Sequence, residues 1–236
     1  MKERKCPFLE TKTVTFCKAF PVKMIPVDST SSSKGICNTA NFQECSLYHE
    51  VSHTGKGLES VRGFFLKADY YYHPKHLWVA PSPEDENEAK VGIDDFAARL
   101  IGKIDRVSVP GENMAVKENS ICFLLHSGQR TVRLVAPASG TVKAVNPRMA
   151  ADPSIINDDP YSDGWIFSMR SKGNPVTGLY HKNVARKWIE CEVERLQRAF
   201  ASDLGMTATD GGEALTDISG RLTDAQWAKV ISQFLG

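Results

Sequence analysis

Apolar and polar positions alternate with a short period through the middle of the chain and with a longer one near its end. Leu77, Val79, Val91 and Ile93 fall in brief apolar runs of strand type, and Ile104 to Val109 alternates around Asp105, Arg106 and Ser108. Residues 122–146 read as two strands joined by a tight turn, with a Pro/Ser/Gly corner leading into a third. One short helix is predicted over Phe96 to Ile101, with Asp94 or Asp95 as its N-cap and Gly102 as its stop. Tyr70 to His73 reads as a strand entry, and the acidic stretch Glu84 to Glu88 as a solvated hairpin tip. After Gly178 the period becomes 3.6. Val184, Trp188, Ile189, Val193, Leu196 and Phe200 share one helix face, and the helix is expected to stop before Gly205. Thr223 and Gln226 have capping-box spacing ahead of a second stripe, Trp227, Val230, Ile231 and Phe234. Both stripes are expected to pack back onto the chain.

Composition divides the chain into three parts. Residues 1–60 form a Cys-rich segment, 61–174 a β domain, and 175–236 a helical segment. Short strands with Gly, Pro and Asn turns argue for a compact, mainly antiparallel sandwich or barrel. With 236 residues, 42% of them hydrophobic, the chain can bury a substantial core. A net charge of +1 without a sustained basic run gives no footprint for nucleic acid. No apolar run is long enough to cross a membrane, and the start Met-Lys-Glu-Arg-Lys-Cys is not that of a signal peptide. A cytoplasmic address is therefore expected.

Four thiols within forty residues, Cys6, Cys17, Cys37 and Cys45, are enough for a tetrahedral zinc site or an iron–sulfur cluster. Pro7, Pro21, Pro26 and Gly35 break the segment into turns that can bring them together. Their spacing differs from the common Cys-x2-Cys knuckle, so unligated buried thiols and disulfides remain alternatives. His49 can replace one cysteine ligand, and with His53 it has helical i, i+4 spacing. Cys122 lies in the apolar run Ile121 to Leu125 and reads as a small hydrophobe; Cys191 sits beside the helix stripe. Neither has a histidine and carboxylate at recognisable spacing, so no catalytic nucleophile is expected and the protein reads as a non-enzyme.

The β domain resembles the glycine cleavage system H protein. His76-Leu-Trp-Val79 is similar to that family's His-Glu-Trp-Val, Val91-Gly-Ile-Asp-Asp-Phe-Ala97 to its Val-Gly-Ile-Thr-Asp-Tyr-Ala, and Asp152 to Trp165 to the stretch closing its core. The hairpin and its corner match as well, so the resemblance covers about residues 70 to 172. It implies a lipoyl/biotinyl-type flattened β-barrel, a barrel-sandwich hybrid; the flanks fall outside it, and their periodicity adds helical appendages to make a mainly β, α+β chain. In the family the hairpin turn reads roughly Glu-Ser-Val-Lys and its lysine carries lipoate; here the aligned residues are His126, Ser127, Gly128 and Gln129. A glutamine carboxamide is not a usable nucleophile, Arg130 stays protonated, and Lys117 and Lys143 lie off the turn along the chain.

Lipoate is accordingly not expected at Gln129, which leaves the iron–sulfur cluster or zinc as the candidate cofactor. The leading expectation is a non-lipoylated adaptor without aminomethyl-carrier activity, docked to a protein partner in a larger complex. The alternative is an electron-transfer or redox-sensing protein built on the cysteine segment. A weaker reading keeps the lipoate carrier through another lysine.

Overall fold

A computed structural model describes residues 57–203 and 218–236, which lie within one compact unit, Gly57–Gly236. It opens with a hairpin of β1 (Leu58–Val61) and β2 (Phe64–Lys67). Arg62 and Gly63 both take positive φ, 53° and 85°, the requirement of a two-residue turn whose twist matches its strands.

Seven strands then form one antiparallel sheet: β3 (Tyr71–His73), β4 (Leu77–Pro81), β5 (Glu88–Ile93), β7 (Ala115–Val116), β10 (Gly140–Val145), β11 (Phe167–Ser171) and β12 (Tyr180–His181). Their spatial order is β12-β3-β4-β5-β11-β10-β7. Gly92 fits this sheet because a Cβ there would stand 2.4 Å from the buried Trp78 ring. The indole in turn donates to the Pro160 carbonyl at 3.0 Å, which satisfies its polar edge.

A separate three-stranded sheet contains β6 (Arg106–Ser108), β8 (Ile121–Ser127) and β9 (Arg130–Val135), in the order β6-β8-β9. This corrects the expected flattened barrel, because the sheets are open. The edge strand β7 has only two residues and, among the described residues, pairs with β10 alone, with no ladder to β9. What links that region is one isolated parallel bridge, Glu118 to Ala136.

Five α-helices complete the described residues: α1 (Asp95–Ile101), α2 (Arg148–Ala151), α3 (Ile155–Asp158), α4 (Lys182–Asp203) and α5 (Asp224–Phe234). Asp94 is the N-cap of α1, accepting from the Ala97 amide at 2.8 Å, and Gly102 ends the helix at φ 88°. Thr223 and Gln226 form the capping box expected for α5. The core runs through Trp78, Phe96, Leu100, Phe123, Leu125 and Tyr161 and continues into Ile189, Val193, Leu196 and Phe200 of α4 and the stripe of α5. Burying each such large side chain contributes roughly 1.5–3 kcal/mol, which explains why the C-terminal helices do not hang free. Val184 is the exception on the expected α4 face, at 59% exposed, because the helix meets the core only from Ala185 onward.

Candidate functional site

The β8/β9 hairpin projects its turn into solvent and is held from three sides. Ser127 and Arg130 close the ladder, leaving Gly128 and Gln129 as the turn. Gly128 has φ 59° with open space around its Cβ position, so the glycine is needed for backbone conformation and not for clearance. Its amide donates to Asp105 Oδ2 at 2.6 Å, tying the turn to the segment between α1 and β6. Gln129 is exposed, and its side chain makes no hydrogen bond among the described residues.

Arg130 anchors the far side of the turn to the C-terminal segment. Its Nε donates to Asp224 at 2.9 Å, Nη1 to the Ser219 carbonyl at 3.2 Å, and Nη2 to the Leu222 carbonyl at 2.9 Å. The guanidinium also lies 5.1 Å over the Trp227 ring. Trp227 Nε1 donates in turn to the Leu100 carbonyl at 2.9 Å, satisfying one of the carbonyls left open at the end of α1. Hairpin, α1 and α5 are thus one clamped assembly.

His126 lies just behind the turn, buried. Its Nδ1 meets Thr131 Oγ1 at 3.0 Å and Arg106 Nη2 at 3.3 Å, and its Nε2 meets Ser108 Oγ at 3.3 Å. A guanidinium only donates, so in that contact Nδ1 accepts and the neutral ring carries its proton on Nε2. Nε2 then donates to Ser108 and does not draw its proton. The pair is no nucleophile–base dyad. Cys122 is half-buried, and burial pushes its thiol up to about 11, so it is not a reactive thiolate.

A second polar cluster sits inside the fold. His76, fully buried at φ 59°, bonds Asp94 Oδ2 through Nδ1 at 2.8 Å, and its Nε2 lies 3.7 Å from Glu192 on α4. Burial pushes this imidazole down, but the carboxylates of Asp94 and Glu192 outweigh it and leave it above its ordinary value. Burial likewise raises Glu192, and the neighbouring His76 and Arg195 pull it below its ordinary value. Phe96 stacks on the ring and Trp188 lies tilted against it. The cluster joins α1 to α4 across the core.

Cys6, Cys17, Cys37, Cys45, His49 and His53 all lie outside the described residues. Among the described residues no group of three or more His, Cys, Asp and Glu side chains could hold a metal. Of the residues singled out from the sequence, the structure brings together Gln129, His126 and Arg130 at one hairpin end. Lys103 went unnoticed there: it is exposed, Gly102 before it approaches Ser127 with its Cβ position 3.6 Å from Oγ, and Asp105 after it holds the turn. No spacing signal connects residues 103 and 129; only the fold does.

The profile of the Glycine cleavage H-protein family matches residues 70–192. The chain belongs to that family. It is 35% identical over 112 residues to glycine cleavage system H protein 4 of Aquifex aeolicus, covering 48% of this chain and 64% of that one. To a probable glycine cleavage system H protein of Natronomonas pharaonis it is 33% identical over 116 residues, covering 49% and 90%. A crystal structure of the H protein from Mycobacterium marinum overlays with a TM-score of 0.48 at 27% identity, covering 54% of this chain and 99% of that one. Family membership corrects three expectations. The non-lipoylated adaptor and the expected absence of lipoate run against the many matches to glycine cleavage system H proteins, and the electron-transfer alternative with an iron–sulfur cluster or zinc draws nothing from these matches or from the described residues.

Proposed function

We propose that this protein is an H-type carrier component of a glycine cleavage assembly, a non-catalytic body that presents its hairpin end to protein partners. The observation that carries the reading is the β8/β9 turn, exposed at its tip yet fixed by Asp105 and Arg130, within the stretch that matches the family. A carrier needs its loaded end accessible to each partner and rigid enough to dock in one orientation. The segments 1–60 and 175–236 are appendages of the 61–174 domain in this reading, and the cytoplasm is its place of work. Among the described residues no helix is long and apolar enough to cross a membrane.

The cargo sets a chemical condition on the chain. Lipoate joins a protein by an amide, which requires an amine, and the carboxamide of Gln129 does not fit that role. The acceptor in this reading is Lys103, an exposed amine on the segment that braces the turn. A lipoyl group there would supply the dithiolane that holds an aminomethyl unit, while Asp105 and Arg130 hold the hairpin turn in place.

The test is reconstitution. Added to a glycine cleavage system that lacks only its own H protein, the purified chain should restore glycine decarboxylation, and Lys103→Arg should abolish it. No restoration by the wild-type chain would overturn the carrier reading.

A further inference from the structure

The solvent face of the three-stranded sheet is basic, and nothing within the described residues neutralises it. Cross-strand register places Arg106, His126 and Thr131 in one row and Ser108, Leu124 and Arg133 in the next. Phe123, Leu125, Val132 and Leu134 point the other way into the core, so the outward set follows from strict alternation. Arg106, Ser108, Thr131 and Arg133 are exposed, and Leu124 is half-buried between them.

Arg62, Arg99, Arg130, Arg148, Arg170 and Arg186 each meet a carboxylate. Arg106 and Arg133 meet none among the described residues, and the hydrogen bond Arg106 makes is to His126. The nearby carboxylate, Asp105, is engaged with the Gly128 amide at the edge of the face.

We propose that this face docks an acidic surface of a partner protein, with Arg106 and Arg133 as carboxylate forks on either side of Leu124. A guanidinium binds a carboxylate through two parallel N–H bonds, and one already oriented loses less freedom on binding. His126 orients Arg106, and the β8/β9 ladder fixes the spacing between Arg106 and Arg133. Half-buried Leu124 supplies the apolar centre that a polar rim surrounds in protein interfaces. A nucleic-acid partner is disfavoured because the face has no aromatic platform for bases and the chain is close to neutral. The inference does not depend on what the hairpin carries, so loss of the carrier reading leaves it standing.

Amide shift mapping of the whole chain with an oligoglutamate peptide tests it, with an oligothymidylate of equal charge as the competing probe. The peptide should shift residues 106–108, 122–126 and 131–135, and its affinity should fall as salt rises. Arg133→Glu, and Arg106→Glu with Arg133→Glu, should each weaken it by roughly tenfold or more. Both positions are exposed, and an unchanged circular dichroism spectrum confirms that the variants fold. Shifts confined to other surfaces, no binding at low salt, affinity indifferent to charge reversal, or tighter binding of the oligothymidylate would each overturn the proposal.

Discussion

Replacing Arg130 with alanine should loosen the C-terminal helices more than its surface position suggests. The visible ion pair is the lesser part: Asp224 is 89% exposed, and a pair of that kind is worth about 0–1 kcal/mol. The bonds to the Ser219 and Leu222 carbonyls matter more, because hydrogen bonds from a charged donor contribute roughly 1.5–3 kcal/mol each and their acceptors lie at a partly buried joint. Cation–π contact with Trp227 adds about 0.5–1 kcal/mol. These terms share one side chain and do not add fully, so the loss is set at about 2–4 kcal/mol. For a unit of this size that lowers Tm by roughly 5–15 °C. Hydrogen exchange should show the loss of protection concentrated in residues 218–235, with β3 to β5 nearly unaffected. Asp224→Ala should cost no more than about 1 kcal/mol. Equal effects of the two substitutions would refute the argument that the carbonyl bonds dominate, and so would an Arg130→Ala effect below about 1 kcal/mol.

Other expectations follow from the same physics. His76 has its folded value raised, so its pairing with Asp94 and Glu192 stabilises fully below the unfolded value of 6.5 and is lost as pH rises through the folded one. Thermal unfolding from pH 6 to 9 should show that decline in the wild type and not in His76→Asn; a parallel decline in both would count against the cluster. Glu192 works in the opposite direction, its contribution vanishing as acid passes through its lowered value, so Glu192→Gln should flatten the acid limb of the same stability curve. Gly92→Ala drives a methyl into the Trp78 ring and should cost about 1–3 kcal/mol with a change in tryptophan emission. An unaltered spectrum and midpoint would show that the contact is slack.

Local features were legible in the sequence because their partners are close along the chain. The Asp94 cap, the Gly102 stop, the Thr223 to Gln226 capping box and the turn at Gly128 and Gln129 each involve groups within a few residues. The open sheet was not legible, since closure depends on whether edges far apart in sequence pair, and the two residues of β7 leave little ladder to form. Arg130 illustrates the same limit at the site. Read along the chain it is only a poor acylation target, yet its partners lie 89 to 94 residues away. Lys103 is hidden in the same manner, because only the fold brings the segment from Gly102 to Asp105 against the turn. Val184 belongs to a sound 3.6-residue stripe, but periodicity does not say where along a helix the core begins.

The central claim is that the chain carries a lipoyl group on the segment bracing the hairpin although Gln129 occupies the hairpin tip. Mass spectrometry of the full chain expressed with an active lipoate ligase, followed by peptide mapping, tests it directly. The account predicts one lipoyl adduct per chain, located on Lys103 and absent from Lys103→Arg. An unmodified wild-type mass would contradict the carrier function itself, and an adduct on a lysine remote from the turn would contradict the assignment of Lys103.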